Sequence, residues 1–485
     1  MLKLLIKQAN WGVLGSLFGF TVGFFIKIYL IDIVGISEWG KYVSAHAFAT
    51  AFDTILAIGI PFILLKFLPD YFSSNKEKAN RLIQRSINYA FKISFLFLIL
   101  MYFLTPYFDH YIYKEIEGFY FILFLVSIHA PISILLGIMT SLYRSIFKIK
   151  ELVLYSTFVT VTLRAVLTFF AFQFTDNIVF FITIELFTGF LAVILLFYFF
   201  NRDQFRLFNI ESEENKFDAE LVFYGKKIYA NSLASFFGNQ SLALVLSIML
   251  PPMEIGVFSI LLTITGVSLF LIQNLNKIFA PVISKLYAQG NISELNQMFK
   301  KTTFIINLIT LPLTILIIYF SKEILVLYDS THAILDYLPY LYVLMGARII
   351  ALLSGSSGMF MIMAGIEDKE LMIQIAKAII ITFLAILFVK SYGLLAIVGL
   401  FIIFTLLVNG FQLFFINQKI NIHPFSRKLF LLLLFSIPLF YYAISNNNEF
   451  SIYQLFWVPC LVYAIYFLVF YKSIRIFYSE IFSND

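Results

Sequence analysis

Charge is scarce in this chain. Asp, Glu, Lys and Arg make up 13% of its 485 residues, and 61% are apolar. A soluble domain carries about a quarter charged residues. A mean hydropathy of +0.91 cannot be solvated by water and can be solvated by lipid. Cysteine is nearly missing too. Cys460 stands alone, which excludes an intrachain disulfide framework and a Cys-rich metal site. Five scattered histidines offer no ligand spacing, so no metal is expected. HExxH, CxxC and GxSxG are all absent, which removes the familiar zinc, redox and acyl-transfer chemistries. Gly35-Ile-Ser-Glu-Trp-Gly-Lys-Tyr approaches a phosphate-binding loop. It ends in Tyr42, where a magnesium-binding Ser or Thr is needed, and no nucleotide site is read there. The chain reads as no enzyme and as needing no cofactor.

What is present is apolar sequence from end to end, with 60 phenylalanines spread throughout. A helix needs roughly 20 mostly apolar residues to cross the hydrocarbon, and it satisfies its own backbone there. Spans are predicted near 11–32, 43–66, 88–107, 119–142, 152–173, 178–200, 229–250, 255–279, 303–321, 338–363, 371–389, 392–416, 429–445 and 453–471. The expected fold is an all-α integral membrane protein with about fourteen transmembrane helices. The run from Trp11 to Asp32 is too long for a signal-peptide core and lacks an Ala-x-Ala site, so it is read as the first span. Between Lys390 and Gly393, a short polar interruption is all that separates two spans.

The basic residues set the direction. With the N-terminus cytoplasmic, 27 of the 34 Lys and Arg fall on the inner side, Lys369 and Lys377 among them. Lys41, Lys114, Lys322 and Lys390 fall outside, and Lys27, Arg164 and Arg348 lie within spans. This alternation places both termini in the cytoplasm. It also explains the net charge of +6 without nucleic acid, which is not expected as a partner. The longest outer loops run only from about Tyr107 to Gly118 and from Ser321 to Tyr337. Membrane glycosyltransferases and polymerases that work on large external loops are therefore disfavoured.

The second half echoes the first. At an offset of 216 residues Glu38 meets Glu254, Gly40 meets Gly256, Tyr71 meets Tyr287 and Asn80 meets Asn296. At 219, Lys150-Glu151-Leu152 meets Lys369-Glu370-Leu371. An even number of spans per repeat makes the repeats parallel. The expected organisation is an N-terminal lobe over 1–201 and a cytoplasmic linker over 202–228. A C-terminal lobe comes next over 229–417, then two extra helices and a cytoplasmic tail over 418–485. Two such lobes around a central cavity suit a transporter that alternates access.

Several turns carry a resemblance. Asp32-Ile-Val-Gly-Ile-Ser-Glu-Trp-Gly-Lys-Tyr, Lys66-Phe-Leu-Pro-Asp, Ile255-Gly-Val-Phe-Ser and Phe279-Ala-Pro-Val-Ile-Ser-Lys-Leu resemble turns of polysaccharide biosynthesis flippases. So do Ser354-Gly-Ser-Ser-Gly and Ala364-Gly-Ile. These are the Wzx-type O-antigen and capsule flippases of the multidrug/oligosaccharidyl-lipid/polysaccharide exporter superfamily. The resemblance covers most of residues 8–417. It implies fourteen helices in two lobes, a cationic cavity and a bacterial cytoplasmic membrane. It implies that an undecaprenyl-diphosphate-linked oligosaccharide is flipped towards the periplasm, with a polymerase and a chain-length regulator as partners. Asp32 departs from the family, which often has Arg there, so that contact is not carried over.

Charges within spans usually face a cavity or a partner. Lys27 continues the stripe Gly15, Gly19, Gly23 at i+4 spacing, a face suited to close packing or to a bulky passenger. It lies roughly 6 Å from the outer boundary, so snorkelling also accounts for it. Asp53 shares a face with His46 and Thr50 and reads as a site for a coupling proton or Na+, or as a helix-to-helix hydrogen-bonding group. Arg164 and Glu185, at depths of roughly 14 and 10 Å on consecutive helices, read as an ion pair or as cavity groups. Arg348 has no acid in its own span and must find an acid elsewhere, carbonyls, water or an anionic ligand, and its planar guanidinium suits a diphosphate. Asn231, Ser235, Asn239, Gln273 and Asn274 read as sugar contacts or as interhelical hydrogen bonds. Three cations against two acids favour the lipid-linked flippase over a cation-coupled multidrug exporter of the same superfamily.

Overall fold

Lipid offers no hydrogen bonds, so a chain of this composition must close its backbone polar groups within helices. The computed structural model does this throughout. It describes residues 2–57, 59–113, 116, 118–203, 229, 241–445 and 451–482, and no strand occurs among them. Eleven of the described helices are long and apolar enough to cross a membrane. The bent pair α2 (Ile36–Ala57) and α3 (Ile60–Ser74), turning by 43°, makes twelve.

One of the eleven, Glu367–Ile420, runs for 54 residues. At 1.5 Å per residue that is about 80 Å, well over twice the hydrocarbon thickness. It breaks at Gly393, whose φ of 53° and ψ of −136° belong to glycine. This is the interruption read from Lys390 to Gly393, and it divides the helix into two spans. The span expected over 229–250 is described only at 229 and from 241 on. The protein is thus the multi-pass helical membrane protein that its hydropathy indicates.

Two compact units are formed. The first comprises Met1–Ser259 and Ala378–Leu394. It opens with α1 (Leu2–Val34), and α2 and α3 come after it. Asn75 caps α4 (Lys76–Tyr111) by accepting from the Lys78 N–H at 3.0 Å. Next come α5 (Phe119–Ser127), α6 (His129–Ser145) and α7 (Ile149–Val153). A π-helical turn over Leu154–Val159 leads into α8 (Thr160–Ala171), and α9 spans Ile178–Asp203. After α10 (Ser241–Met249), the start of α11 (Pro252–Ala288) completes the set. Leu64, Leu68, Ile83, Ile138 and Leu142 join Leu196 and Phe200 in its core.

Gly40 and Gly256 meet in this unit. A Cβ on Gly40 would overlap the carbonyl oxygen of Pro252, and a Cβ on Gly256 would overlap that of Ile36. Ile36 and Pro252 are themselves 216 residues apart. The two halves of the repeat therefore cross through equivalent contacts, and only glycine permits so close an approach. Near by, Glu254 accepts from the Leu394 N–H at 2.8 Å, capping the helix that restarts after Gly393.

The second unit comprises Ile260–Lys377 and Leu395–Asp485. It holds the rest of α11, α12 (Ile292–Tyr319) and α13 (Ser321–Val326). The turn beyond α13 is tied by Asp329, which accepts from the Thr331 hydroxyl at 2.6 Å and the Ile334 N–H at 2.9 Å. Then come α14 (Leu338–Leu353), α15 (Ser357–Met363), α16 (Glu367–Ile420), α17 (Arg427–Ser445) and α18 (Ile452–Phe482). The span over α14 and α15 breaks at Gly355, with φ +63°. A Cβ there would overlap the Thr303 hydroxyl. Asn307 donates to the Leu352 carbonyl at 2.8 Å, supplying a hydrogen bond at the break that lipid could not. Phe299 and Phe360 stack at 4.0 Å in the core of this unit.

Candidate functional site: charges within the spans

The π-helical turn adds a residue to the helical winding and so re-aims the side chains of α8 beyond it. Arg164, on α8, reaches α9. Its Nη1 donates to Glu185 Oε1 at 2.8 Å and its Nε to the Thr188 hydroxyl at 3.1 Å. Tyr42, on α2, donates its hydroxyl to Glu185 Oε2 at 2.7 Å. Both carboxylate oxygens of buried Glu185 are thereby engaged. The His46 ring lies 5.7 Å from that of Tyr42 and 5.4 Å from that of His129. Ser133 and His129 face Asp53, whose Oδ1 is buried and accepts no hydrogen bond among the described residues.

Lys27 is engaged as well. Its ammonium lies 3.3 Å from the Ser259 hydroxyl and 3.4 Å from the Ser259 carbonyl oxygen. It stands 5.1 Å from the Trp39 ring centroid, a cation–π distance. The Trp39 indole N–H donates to the same Ser259 hydroxyl at 2.9 Å. Of the glycine stripe before it, Gly15 and Gly19 pack on Val153 and Thr157, while Gly23 meets nothing within 4 Å. Close packing thus accounts for the first two glycines.

Arg348 has different surroundings in the second unit. Its guanidinium carbon lies 4.9 Å from the Phe401 ring centroid. Its Nε is buried without a hydrogen-bond partner among the described residues. Lys377 is within electrostatic range of it, and Lys377 itself interacts first with Glu370 and then with Arg348. Asn274 gives its amide to the Phe270 carbonyl at 2.9 Å, and Gln273 is exposed. Asn231, Ser235 and Asn239 lie outside the described residues. No cluster of His, Cys, Asp and Glu fit for a metal occurs among the described residues.

Residues 5–287 match the family described as polysaccharide biosynthesis protein, more than half of the chain. The chain belongs to the polysaccharide biosynthesis protein family. Its fold is shared more widely. A structure described as the lipid II flippase MurJ in an inward closed conformation matches with a TM-score of 0.72 at 15% identity, covering 95% of this chain and 99% of that one. An inward-facing multidrug resistance MATE transporter of the MOP superfamily matches at 0.64 and 14% identity, over 82% of this chain and 98% of that one. A MOP superfamily transporter from Pyrococcus furiosus, described as having a binding pocket of reversed polarity, matches at 0.59 and 13%, over 86% and 95%. At such identities the likeness is one of fold. No curated protein matches this chain in sequence.

In this family member the sequence pointed to no partner role for Tyr42, Trp39, Ser259 or Lys377. Tyr42 and Glu185 are 143 residues apart, and Lys27 and Ser259 are 232 apart, so no local pattern joins them. Lys377 had a usable signal. It stands seven residues after Glu370, on the same helix face and inside the span predicted over 371–389.

Proposed function

We propose that this protein flips an undecaprenyl-diphosphate-linked oligosaccharide from the cytoplasmic to the periplasmic leaflet of a bacterial cytoplasmic membrane, for O-antigen, capsule or exopolysaccharide assembly. Arg348 carries the reading. A guanidinium about the middle of a span, with its buried Nε unpartnered among the described residues, is costly unless an anion is its partner. Family membership supports an anion drawn from polysaccharide synthesis. The lipid II flippase named among the fold relatives handles a lipid-linked substrate. In this reading the two six-helix lobes rock around the headgroup while the polyprenyl tail stays in lipid. Both termini are cytoplasmic, and a polymerase and a chain-length regulator take the product.

The multidrug transporters share the fold and supply the second reading, an exporter coupled to H+ or Na+. Asp53 is the observation in its favour, as a half-buried carboxylate with its buried Oδ1 unpartnered among the described residues. The two readings separate in a deletion strain. Loss of surface polysaccharide, with the lipid-linked unit accumulating on the cytoplasmic face, supports the flippase. Arg348→Ala should reproduce that phenotype while remaining inserted in the membrane. An undiminished polysaccharide coat in the deletion strain, with new sensitivity to toxic cations, overturns the flippase reading in favour of the exporter.

A further inference from the structure

Titratable side chains stand in a row where α2 packs on α6. Tyr42, His46 and Asp53 lie on α2 at i, i+4 and i+11, one face over about 16 Å. From α6 come His129 and, one turn on, Ser133; both face Asp53. The His46 ring lies 5.4 Å from the His129 ring, edge to face, and 5.7 Å from the Tyr42 ring. Tyr42 in turn donates to Glu185 at 2.7 Å. The row therefore runs from Asp53 through two imidazoles to the carboxylate that holds Arg164 at 2.8 Å. Glu185 is within electrostatic range of both histidines, and His46 is within range of Arg164. The other neighbours of α2 add little charge. α5 and α10 carry no charged residue. α4 meets α2 through Phe97 and Phe108, and Lys27 of α1 is engaged by Ser259.

Packing alone does not account for this row. Rings meeting edge to face are ordinary core contacts, but Asp53 is not one. Its Oδ1 is buried and accepts no hydrogen bond among the described residues, and it enters no ion pair among them. Nor does the framework demand these groups. At the offset of 216 the α2 row has Phe258, Leu262 and Leu269 as its counterparts. Arg164 and Glu185 cancel one another, so an ionised Asp53 would leave the span one charge negative, at a cost. A single proton removes that charge. Three groups can share it, the Asp53 carboxyl and the two imidazoles, and imidazole is the side chain that exchanges protons near neutrality. They are not gathered as metal ligands are, among the described residues. A row of this kind suits a proton.

We propose that Asp53, His46 and His129 form a proton-binding site, and that a second proton gained there loosens the hold of Glu185 on Arg164. With one proton the row is neutral. A second, taken from water, creates an imidazolium beside Tyr42 and Glu185. That cation attracts the carboxylate and repels the guanidinium. The ion pair joining α8 to α9 thereby responds to protons. The site goes beyond the flippase reading and does not depend on which passenger is carried.

The full-length protein in detergent is made with isotope-labelled histidine, and its five histidines are followed by NMR as pH is varied. His46→Gln and His129→Gln assign the two signals. Asp53→Asn should move the titration of His129 by about one pH unit or more, and so should His46→Gln, as coupled sites require. The second readout is the Arg164–Glu185 coupling, taken from a double-mutant cycle in unfolding. It should weaken about threefold or more between about pH 8 and about pH 5.5. In a background carrying both His46→Gln and His129→Gln it should be the same at the two pH values. Titrations of His46 and His129 that ignore Asp53 and each other overturn the shared site. A coupling equally strong at both pH values in the native background overturns the link to Arg164. Should Asp53→Asn fail to fold, the His46 signal in His129→Gln carries the first test. Neither readout measures transport, so failure here leaves the flippase reading to the deletion strain.

Discussion

Removing the Glu185 side chain by Glu185→Ala should destabilise the protein by about 3 kcal/mol. An ordinary hydrogen bond between membrane helices contributes about 0.6 kcal/mol, because the unfolded helices find other partners in lipid. The Glu185 site is not ordinary. The substitution removes the acceptor of an Arg164 contact at 2.8 Å and of a Tyr42 contact at 2.7 Å. Bonds to a charged group contribute about 1.5–3 kcal/mol each. Breaking a buried pair costs about 3–5 kcal/mol, since a charge is left behind. The lower end applies because helices unfolded within the membrane re-pair part of their polar groups. The assay is equilibrium unfolding in mixed detergent micelles, with variants checked by size-exclusion chromatography. Reversing both charges, Arg164→Glu with Glu185→Arg, should recover part of what either reversal loses. Recovery is partial because Tyr42 and Thr188 are placed for the native polarity. A cost below about 1 kcal/mol for Glu185→Ala, in the range of an ordinary interhelical bond, would refute the argument. So would a double reversal no more stable than the worse single one.

The remaining predictions concern topology, backbone and pH. Reporter fusions after Lys226 and after Asn417 should both read cytoplasmic, and a periplasmic signal at either position breaks the orientation drawn from the basic residues. Gly393→Ala should cost about 1–3 kcal/mol in the same unfolding assay, because its φ of 53° and ψ of −136° suit glycine alone. Gly399→Ala, where a Cβ meets nothing within 4 Å, should cost nothing or stabilise slightly. Burial pulls the Asp329 carboxyl upward, but hydrogen bonds from Thr331, Ile334 and Ala333 outweigh it and hold the group below its usual value of 3.8. Asp329→Asn should therefore be destabilising at neutral pH and become neutral as acidity passes below pH 3.8, where the native carboxylate is itself being protonated; a penalty unchanged by acid would show that the charge is irrelevant.

The spans were legible in the sequence because lipid imposes one strong rule, about 20 apolar residues per crossing. Even the weak interruption before Gly393 was readable, because a polar break in an apolar run has few other meanings. Depth arithmetic also put Arg164 and Glu185 within reach of each other, since consecutive antiparallel helices have known registers. That arithmetic fails over long separations. Nothing near Lys27 announces Ser259, and nothing near Glu185 announces Tyr42. Lys377 was grouped with the cytoplasmic basic residues because a count by side ignores depth. Its surroundings emerge only from the fold, which sets Glu370 and Arg348 within electrostatic range of it.

The repeat sharpens this contrast. At the offset of 216, Gly40 and Gly256 are the same residue, and so are Glu38 and Glu254. The contacts of Gly40 with Pro252 and of Gly256 with Ile36 exchange under that offset. These positions are scaffold, since a close backbone crossing leaves little choice of residue in either half. The charges within the spans behave otherwise. Lys27 and Asp53 correspond to Ala243 and Leu269 at 216, and Arg164 and Glu185 correspond to Phe383 and Phe404 at 219. Lys377 corresponds to Phe158, and Arg348 to Ile132 or His129 according to the offset. A duplicated framework therefore carries unlike chemistry in its two halves. In the first half the described cations are engaged by Ser259, Trp39, Glu185 and Thr188. In the second, Arg348 lies against Phe401 with its Nε unpartnered among the described residues. Close backbone crossing thus holds the equivalent glycines fixed in both halves, while positions that face no such crossing have been free to take unlike charges.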